Sequence, residues 1–135
     1  MNSYKGYKDL DCYKKSRELR MYISTLAKKF PKEERYLLIS QSIRSSRSVT
    51  ATIAEGYGRY TYTDTRNFFV MARGSITETM EHLTTATDEG YISNEELQKG
   101  EEMCETAFKL LNGYIAWLDK SKSKMKTAAN PIPNS

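Results

Sequence analysis

Arginine and tyrosine side chains are concentrated in one stretch of the sequence, residues 44–62. The stretch contains Arg44, Arg47, Tyr57, Arg59, Tyr60 and Tyr62. A guanidinium group can bind a phosphate through two parallel hydrogen bonds, and a nearby tyrosine ring can stack on an unpaired base. Cations interleaved with aromatic rings are therefore typical of a surface that binds nucleic acid, but also of a solvated cationic face or of one that meets the acidic half of a neighbouring copy.

Side chains of the kinds used in catalytic and metal sites are few and scattered. His82 is the single histidine, and Cys12 and Cys104 form no CxxC pattern, so neither a metal site nor a cysteine nucleophile is indicated. No serine lies in a GxSxG turn. Gly56 and Gly58 follow a helix-compatible segment, whereas the glycines of a phosphate-binding loop follow a strand. We expect a protein that is not an enzyme and that uses no metal or cofactor.

Charge is segregated along the chain. Residues 1–60 contain 13 Lys and Arg against 6 Asp and Glu, a net charge of +7, and residues 61–119 contain 4 against 11, a net charge of −7. Residues 120–135 contain 4 lysines and no acid. Such a chain attracts a polyanion, its own other half or another copy of itself. The charge pattern alone leaves these three alternatives open.

Apolar residues recur at spacings of three and four in four segments, a pattern that predicts four amphipathic helices. The predicted helices are helix 1 from the N-cap Asp9 to Phe30, helix 2 from residues 32–36 to Tyr57, helix 3 from the N-cap Thr63 to Gly90, and helix 4 from the Ser93–Glu96 capping box to Leu118. Helix 2 carries mostly small residues on its inner face, which permits close approach by its neighbours. The inner-face residues are Ser42, Ser45, Val49, Thr52 and Gly56.

Four such helices with short links predict an all-α fold, an antiparallel up-down-up-down four-helix bundle. We expect a loose N-terminal arm over residues 1–8, the bundle over 9–120 and a disordered basic tail over 121–135. No apolar run approaches the roughly 18 residues that a membrane helix needs. The N-terminal stretch has no apolar signal core, so we expect a cytoplasmic protein that does not act at a membrane.

Two features of helices 2 and 3 predict close contacts at particular residues. If the link between them centres near residue 60, Arg44 lies opposite Glu78. The pair is then either a structural salt bridge or an arginine poised for a phosphate with Glu78 as its clamp. Gly74, in the middle of helix 3, costs about 1 kcal/mol relative to alanine. That cost predicts close approach by another backbone or by a ligand.

Several short segments resemble motifs of one protein family. They are Phe30-Pro31-Lys32-Glu33-Glu34, then Ile53-Ala54-Glu55-Gly56-Tyr57-Gly58-Arg59 preceded by Leu38, Gln41, Arg44 and Ser48, and Arg73-Gly74-Ser75 followed by Glu78. Together they resemble the four-helix-bundle proteins named for intervening sequences in bacterial 23S rRNA genes. Thr52 stands where that family usually has Asn, which removes an amide that can bond between helices.

That family is in turn similar to the accessory protein of diversity-generating retroelements, a homopentamer that binds nucleic acid together with a reverse transcriptase. The resemblance therefore implies a helical bundle that assembles with copies of itself, with five as the expected number. It also implies a nucleic-acid ligand and allows for a protein partner. The sequence by itself does not fix the number of copies.

Our leading hypothesis is a non-enzymatic homo-oligomer that binds nucleic acid, with structured RNA as the expected ligand, through a basic face of helices 1 and 2. The residues predicted to bind are Lys14, Arg17, Arg44, Arg47, Tyr57, Arg59 and Tyr60. The alternative is a structural or adaptor oligomer in which the basic face of one copy pairs with the acidic face of the next, with no role for nucleic acid.

Overall fold

The structure, a computed structural model, describes residues 6–128, with side chains described as far as residue 122. The four long helices are α1 (Asp11–Ala27), α2 (Ser40–Tyr57), α3 (Tyr62–Asp88) and α4 (Asn94–Ala128). Short 3₁₀ turns lie at Tyr7–Asp9 and Lys32–Glu34, and a π-helical turn at Arg35–Ile39 leads into α2. The described residues contain no strand. The prediction of an all-α four-helix bundle is confirmed.

The N-terminal ends of the helices differ in part from the prediction. Asp9 lies in the first 3₁₀ turn and does not cap α1, which follows the extended residue Leu10. Thr61 caps α3 in place of Thr63, because its side chain accepts a hydrogen bond from the backbone N–H of Asp64 at 3.1 Å. In both cases the predicted helix exists, and only its N-terminal boundary is displaced, by about two residues.

The connection from α3 to α4 has the predicted chemistry. Gly90 has a φ of +80°, which only glycine adopts readily. The N–H of Tyr91 donates to the carbonyl of Ala86 at 2.9 Å, which completes a Schellman turn. Ser93 and Glu96 then form the capping box, with hydrogen bonds of 2.9 and 3.1 Å between each side chain and the other's backbone N–H.

The start of helix 2 is not the continuous helix that the sequence predicts. The backbone leaves helical geometry at Leu37, with φ −119° and ψ −105°, and regular α-helix begins only at Ser40. Glu34 fixes this turn, because its carboxylate accepts hydrogen bonds from the Leu38 N–H at 3.1 Å and from the Tyr91 hydroxyl at 2.8 Å. The link between α1 and α2 is thereby attached to the link between α3 and α4.

The contacts between helices show that α2 and α3, and likewise α3 and α4, run in opposite directions. Between α2 and α3, Ser45 bonds Thr79 at 2.8 Å and Ser48 bonds Ser75 at 2.9 Å. Between α3 and α4, Arg66 pairs with Asp119 at 2.8 Å and Arg73 donates to Asn112 at 2.6 Å. α1 lies between α4 and α2: Tyr22 donates to the Glu96 carbonyl at 3.0 Å, and Arg20 donates to Thr50 at 3.0 Å. The four helices thus enclose one core.

The core combines large side chains, most of them from α1, α3 and α4, with mainly small ones from α2, which adds Val49 and Ile53. Its largest fully buried members include Leu19, Phe69, Ile76 and Leu111. Each predicted inner-face residue of α2 is buried. At the other end of the chain, α4 continues beyond residue 120, where the bundle was predicted to end, to Ala128. The rest of the predicted tail, 129–135, and residues 1–5 of the predicted arm lie outside the described residues.

No other part of the described chain approaches Gly74 closely, so the prediction of a close approach by another backbone of this chain is wrong. A Cβ atom added there would meet nothing within 4 Å, whereas one added at Gly56 would lie 2.7 Å from the Phe68 Cβ and 3.1 Å from the Phe69 ring. Gly100 is also crowded, because a Cβ there would lie 2.7 Å from a Leu83 methyl group. Gly56 is therefore the glycine that allows α2 and α3 to touch. Within residues 6–128, no helix combines the length and apolar character that crossing a lipid bilayer requires.

We predict opposite effects on stability for two glycine substitutions. Gly56→Ala should lower the free energy of unfolding by about 1–3 kcal/mol, since the new methyl group must displace packed atoms of α3. Gly74→Ala should raise it by about 1 kcal/mol, since the methyl group enters open space and alanine favours the helix. Urea denaturation of both variants measures the two effects. Equal destabilisation by both would contradict the packing described here.

Candidate nucleic-acid interface

Three arginines lie along the groove between α1 and α2. Arg20, which is half-buried, donates to the Thr50 hydroxyl at 3.0 Å and so marks one level of the groove. Arg17 precedes Arg20 by one turn of α1, and Arg47 precedes Thr50 by one turn of α2. Because the two helices run in opposite directions, Arg17 and Arg47 lie on opposite sides of that level, each about 4.5 Å along the axis. We call Arg17, Arg20 and Arg47 the arginine row.

The arginine row has no acid to neutralise it within the part of the chain that the structure describes. Arg17 and Arg47 are exposed. The ion pairs of the basic half involve other cations, namely Lys15, Lys29, Arg44 and Arg59. Lys14 is also exposed on α1, one turn before Arg17. The predicted residues Lys14, Arg17 and Arg47 therefore belong to one cationic surface, and Arg20 completes it.

Beyond the arginine row, three more cations surround a cleft of about 310 Å³. Lys28 follows α1, Lys32 lies in the 3₁₀ turn and Arg35 begins the π-helical turn. We call this the cationic cleft. Sequence analysis predicted no role for Arg20, Lys32 or Arg35. The spacing of three residues between Arg17 and Arg20, and between Lys32 and Arg35, is the signal that places each pair on one helical face.

Arg44 lies on the other side of α2 and forms an ion pair with Glu78 of α3. The same guanidinium donates to the Gln41 side chain at 3.1 Å, and His82 Nε2 lies 3.2 Å from the Glu78 carboxylate. Burial disfavours the charge on Glu78, but the hydrogen bonds from His82 and Arg44 outweigh it and lower the pKa of this carboxyl. The contact has the geometry of a structural salt bridge between helices.

The remaining predicted residues lie at the far end of α2. Arg59 pairs with Glu55 at 2.8 Å and covers the Phe68 ring, with its guanidinium carbon 4.7 Å from the ring centre. Tyr57 is half-buried and Tyr60 is 96% exposed. Twelve residues of helix separate Arg47 from Arg59, a distance of about 18 Å. The seven predicted residues therefore occupy three separate places.

The glycine and arginine motif residues serve packing between helices. Gly56 lies under Phe68, and the N–H of Gly58 donates to the Glu55 carbonyl at 3.2 Å where α2 ends. Arg73 binds the Asn112 side chain and covers the Phe108 ring of α4 at 5.9 Å. Gly56 and Arg73 thus hold α2, α3 and α4 together, whereas Gly58 ends α2 and Gly74 meets no other part of the described chain.

The acidic half of the chain forms the surface of α3 and α4. Eight of its carboxylates have no cation within ion-pair distance among the described residues: Asp64, Glu81, Asp88, Glu89, Glu95, Glu101, Glu102 and Glu105. The two sequence halves become two sides of the bundle, because α1 packs beside α2 and α3 packs beside α4. Charge segregation in the sequence is therefore also segregation in space.

Fold and surface together define an all-helical bundle with opposed basic and acidic sides. Within the described residues, no group of three or more His, Cys, Asp or Glu side chains is arranged to hold a metal ion. The family model for the 23S rRNA-intervening sequence protein matches residues 8–113. The chain belongs to this family.

A solved structure supports the same fold. It is the crystal structure of a protein of unknown function from the S23 ribosomal protein family of Bacteroides thetaiotaomicron, with a TM-score of 0.73 and 26% sequence identity. The match covers 81% of this chain and 98% of that chain. Comparison with curated proteins gives no match.

The Glu78 ion pair predicts a pH dependence of stability. Because the pKa of Glu78 is lower in the folded state, its contribution is present above the unfolded value of about 4.3 and is lost as pH falls through the folded pKa. Glu78→Gln should therefore destabilise the protein at pH 7 by up to about 1 kcal/mol, and the difference from wild type should close on acidification. Thermal unfolding between neutral and acid pH measures this difference.

Glu81→Gln provides the matched control, because Glu81 lies on the same helix, is exposed and has no ion pair among the described residues. Its difference from wild type should stay small at every pH. A Glu78→Gln difference that persists unchanged in acid would show that the carboxylate charge is not what stabilises the contact.

Proposed function

We propose that the protein is a non-enzymatic, oligomeric helical bundle that binds nucleic acid, with structured RNA as the expected ligand, through the arginine row between α1 and α2. One observation carries the proposal. Arg17 and Arg47 are exposed cations without an acidic partner among the described residues, aligned on either side of Arg20. A line of unneutralised guanidinium groups is suited to a row of phosphates.

The positions of these side chains favour contact with the backbone of the nucleic acid over reading of its sequence. The charged groups along the groove are cations, which meet phosphate oxygens in any sequence. The Arg20 guanidinium is oriented by Thr50 through one nitrogen, Nη1. Its other N–H groups remain for a ligand, since a guanidinium has five donors.

The other predicted binding residues receive different roles in this proposal. Glu78 neutralises Arg44, and Glu55 neutralises Arg59, which favours a structural role for both arginines. Tyr60 projects from the link between α2 and α3 and is 96% exposed, so it supports base stacking there. That stacking site lies apart from the arginine row, so it serves a ligand long enough to reach both.

Salt dependence tests the phosphate contacts. Arg17→Ala combined with Arg47→Ala should weaken binding of a structured RNA, and the slope of log K against log salt should become shallower by about 1.4–1.8 for two lost contacts. Fluorescence anisotropy with a labelled RNA hairpin across a salt series measures both quantities. The same series with a DNA duplex compares the two kinds of nucleic acid.

Lys109→Ala is the matched control, because Lys109 is an exposed cation of α4 without an ion pair among the described residues. It should change neither the affinity nor the slope appreciably. Absence of binding at low salt, or an equal loss in the control and in the double variant, would contradict the proposal.

Self-association is the second part of the proposal. Met71 and Trp117 are 54% and 58% exposed on α3 and α4, the side that carries the unpaired acids. Large apolar side chains on a surface support a contact with another copy. Five copies remain the expectation from the family resemblance. In the alternative function, the arginine row itself meets the acidic side of the next copy and is not available to nucleic acid.

Light scattering of the Arg17→Ala/Arg47→Ala variant separates the two functions. If the arginine row binds nucleic acid, the variant should keep the molar mass of the wild-type oligomer while losing affinity for RNA. If the row pairs with the next copy, the variant should fall to the mass of a single chain, and high salt should dissociate the wild type in the same way. Trp117→Ala should weaken association under the first hypothesis.

A further inference from the structure

The cationic cleft lies between the end of α1 and the turn at Arg35–Ile39 that leads into α2. Besides Lys28, Lys32 and Arg35, its lining includes four apolar side chains, Ala27, Phe30, Ile39 and Ile43. Its volume of about 310 Å³ is at the lower end of the range for pockets that bind small ligands. The cleft is thus a small site with cations around it and an apolar lining.

Its charge is not neutralised by the protein. No carboxylate lines the cleft. Glu34 is close in sequence, but both of its oxygens are engaged elsewhere, by the Leu38 N–H and by the Tyr91 hydroxyl. None of the three cations has an ion-pair partner among the described residues. An anionic ligand therefore matches the positive charge of this site.

An inorganic anion would leave the apolar part of the cleft uncovered. Ile39 and Ile43, both half-buried, offer hydrocarbon surface next to the cations, so the complementary ligand has a flat, weakly polar part attached to its charge.

We propose that the cationic cleft binds a nucleotide, with the phosphate on Lys28, Lys32 and Arg35 and the base against the apolar lining. The nucleotide is either free or an unpaired residue of a nucleic-acid strand. In the second form the inference rests on the proposed function, and the cleft then selects strands with an unpaired base. The cleft follows the arginine row towards the end of α1, so one strand can run from one to the other.

Methyl NMR of the full chain locates the ligand. AMP, or a short single-stranded oligoadenylate, should shift the methyl signals of Ile39 and Ile43 and leave those of the fully buried Ile76 unchanged. Lys32→Ala with Arg35→Ala should weaken this binding about tenfold or more, because two charge-assisted contacts are lost. Lys109→Ala should have no effect.

The probe that shifts the methyl signals shows whether the nucleotide is free or part of a strand. Shifts with AMP alone assign a free nucleotide, and shifts with the oligoadenylate alone, absent with a fully paired duplex, assign an unpaired residue in a strand. If neither probe moves Ile39 and Ile43, or if the shifts survive unchanged in the Lys32→Ala/Arg35→Ala variant, the inference is overturned. RNA binding that depends on Arg17 and Arg47 but not on Lys32 and Arg35 would overturn the assignment to an unpaired residue of a strand while leaving the proposed function intact.

Discussion

Close packing of α2 against α3 is the constraint on which the rest of the bundle depends. The inner face of α2 consists largely of serine, threonine and glycine, and two hydroxyl pairs, Ser45–Thr79 and Ser48–Ser75, connect the helices directly. At Gly56 the backbone lies against Phe68 and Phe69. Because α2 contributes only Val49 and Ile53 as larger fully buried side chains, most of the large core side chains come from α1, α3 and α4.

This packing determines what each arginine of α2 can do. Arg44 lies on the side that faces α3, where Glu78 is within reach. Arg47, three residues later, lies one turn before Thr50, the α2 residue that bonds Arg20 of α1, and no acid neutralises it among the described residues. A single helix thereby supplies both a structural ion pair and an exposed cation. The difference follows from which neighbour each side chain meets, since the two residues are chemically identical.

The arrangement of the helices also turns a charge gradient in the sequence into two opposed surfaces. Basic α1 and α2 are neighbours, and α3 is the neighbour of α4, whose residues up to 119 belong to the acidic half of the sequence. Membership of the 23S rRNA-intervening sequence protein family is consistent with the helical fold, and the similar Bacteroides thetaiotaomicron protein is itself of unknown function. The features of this chain that bear on function lie on its surface, above all the cations that have no ion-pair partner among the described residues.

The sequence by itself determined the four helices, the small inner face of α2, the capping box and the segregation of charge, because these depend on spacing within a few residues and on composition. The short link between α2 and α3 was also enough to predict that Arg44 lies opposite Glu78. Only the tertiary structure decided that Gly56 is crowded and Gly74 open, that α2 begins with a π-helical turn, and that Lys28, Lys32 and Arg35 surround a cleft. Such features depend on distances between atoms that lie on separate elements of the chain, and a local pattern does not contain those distances.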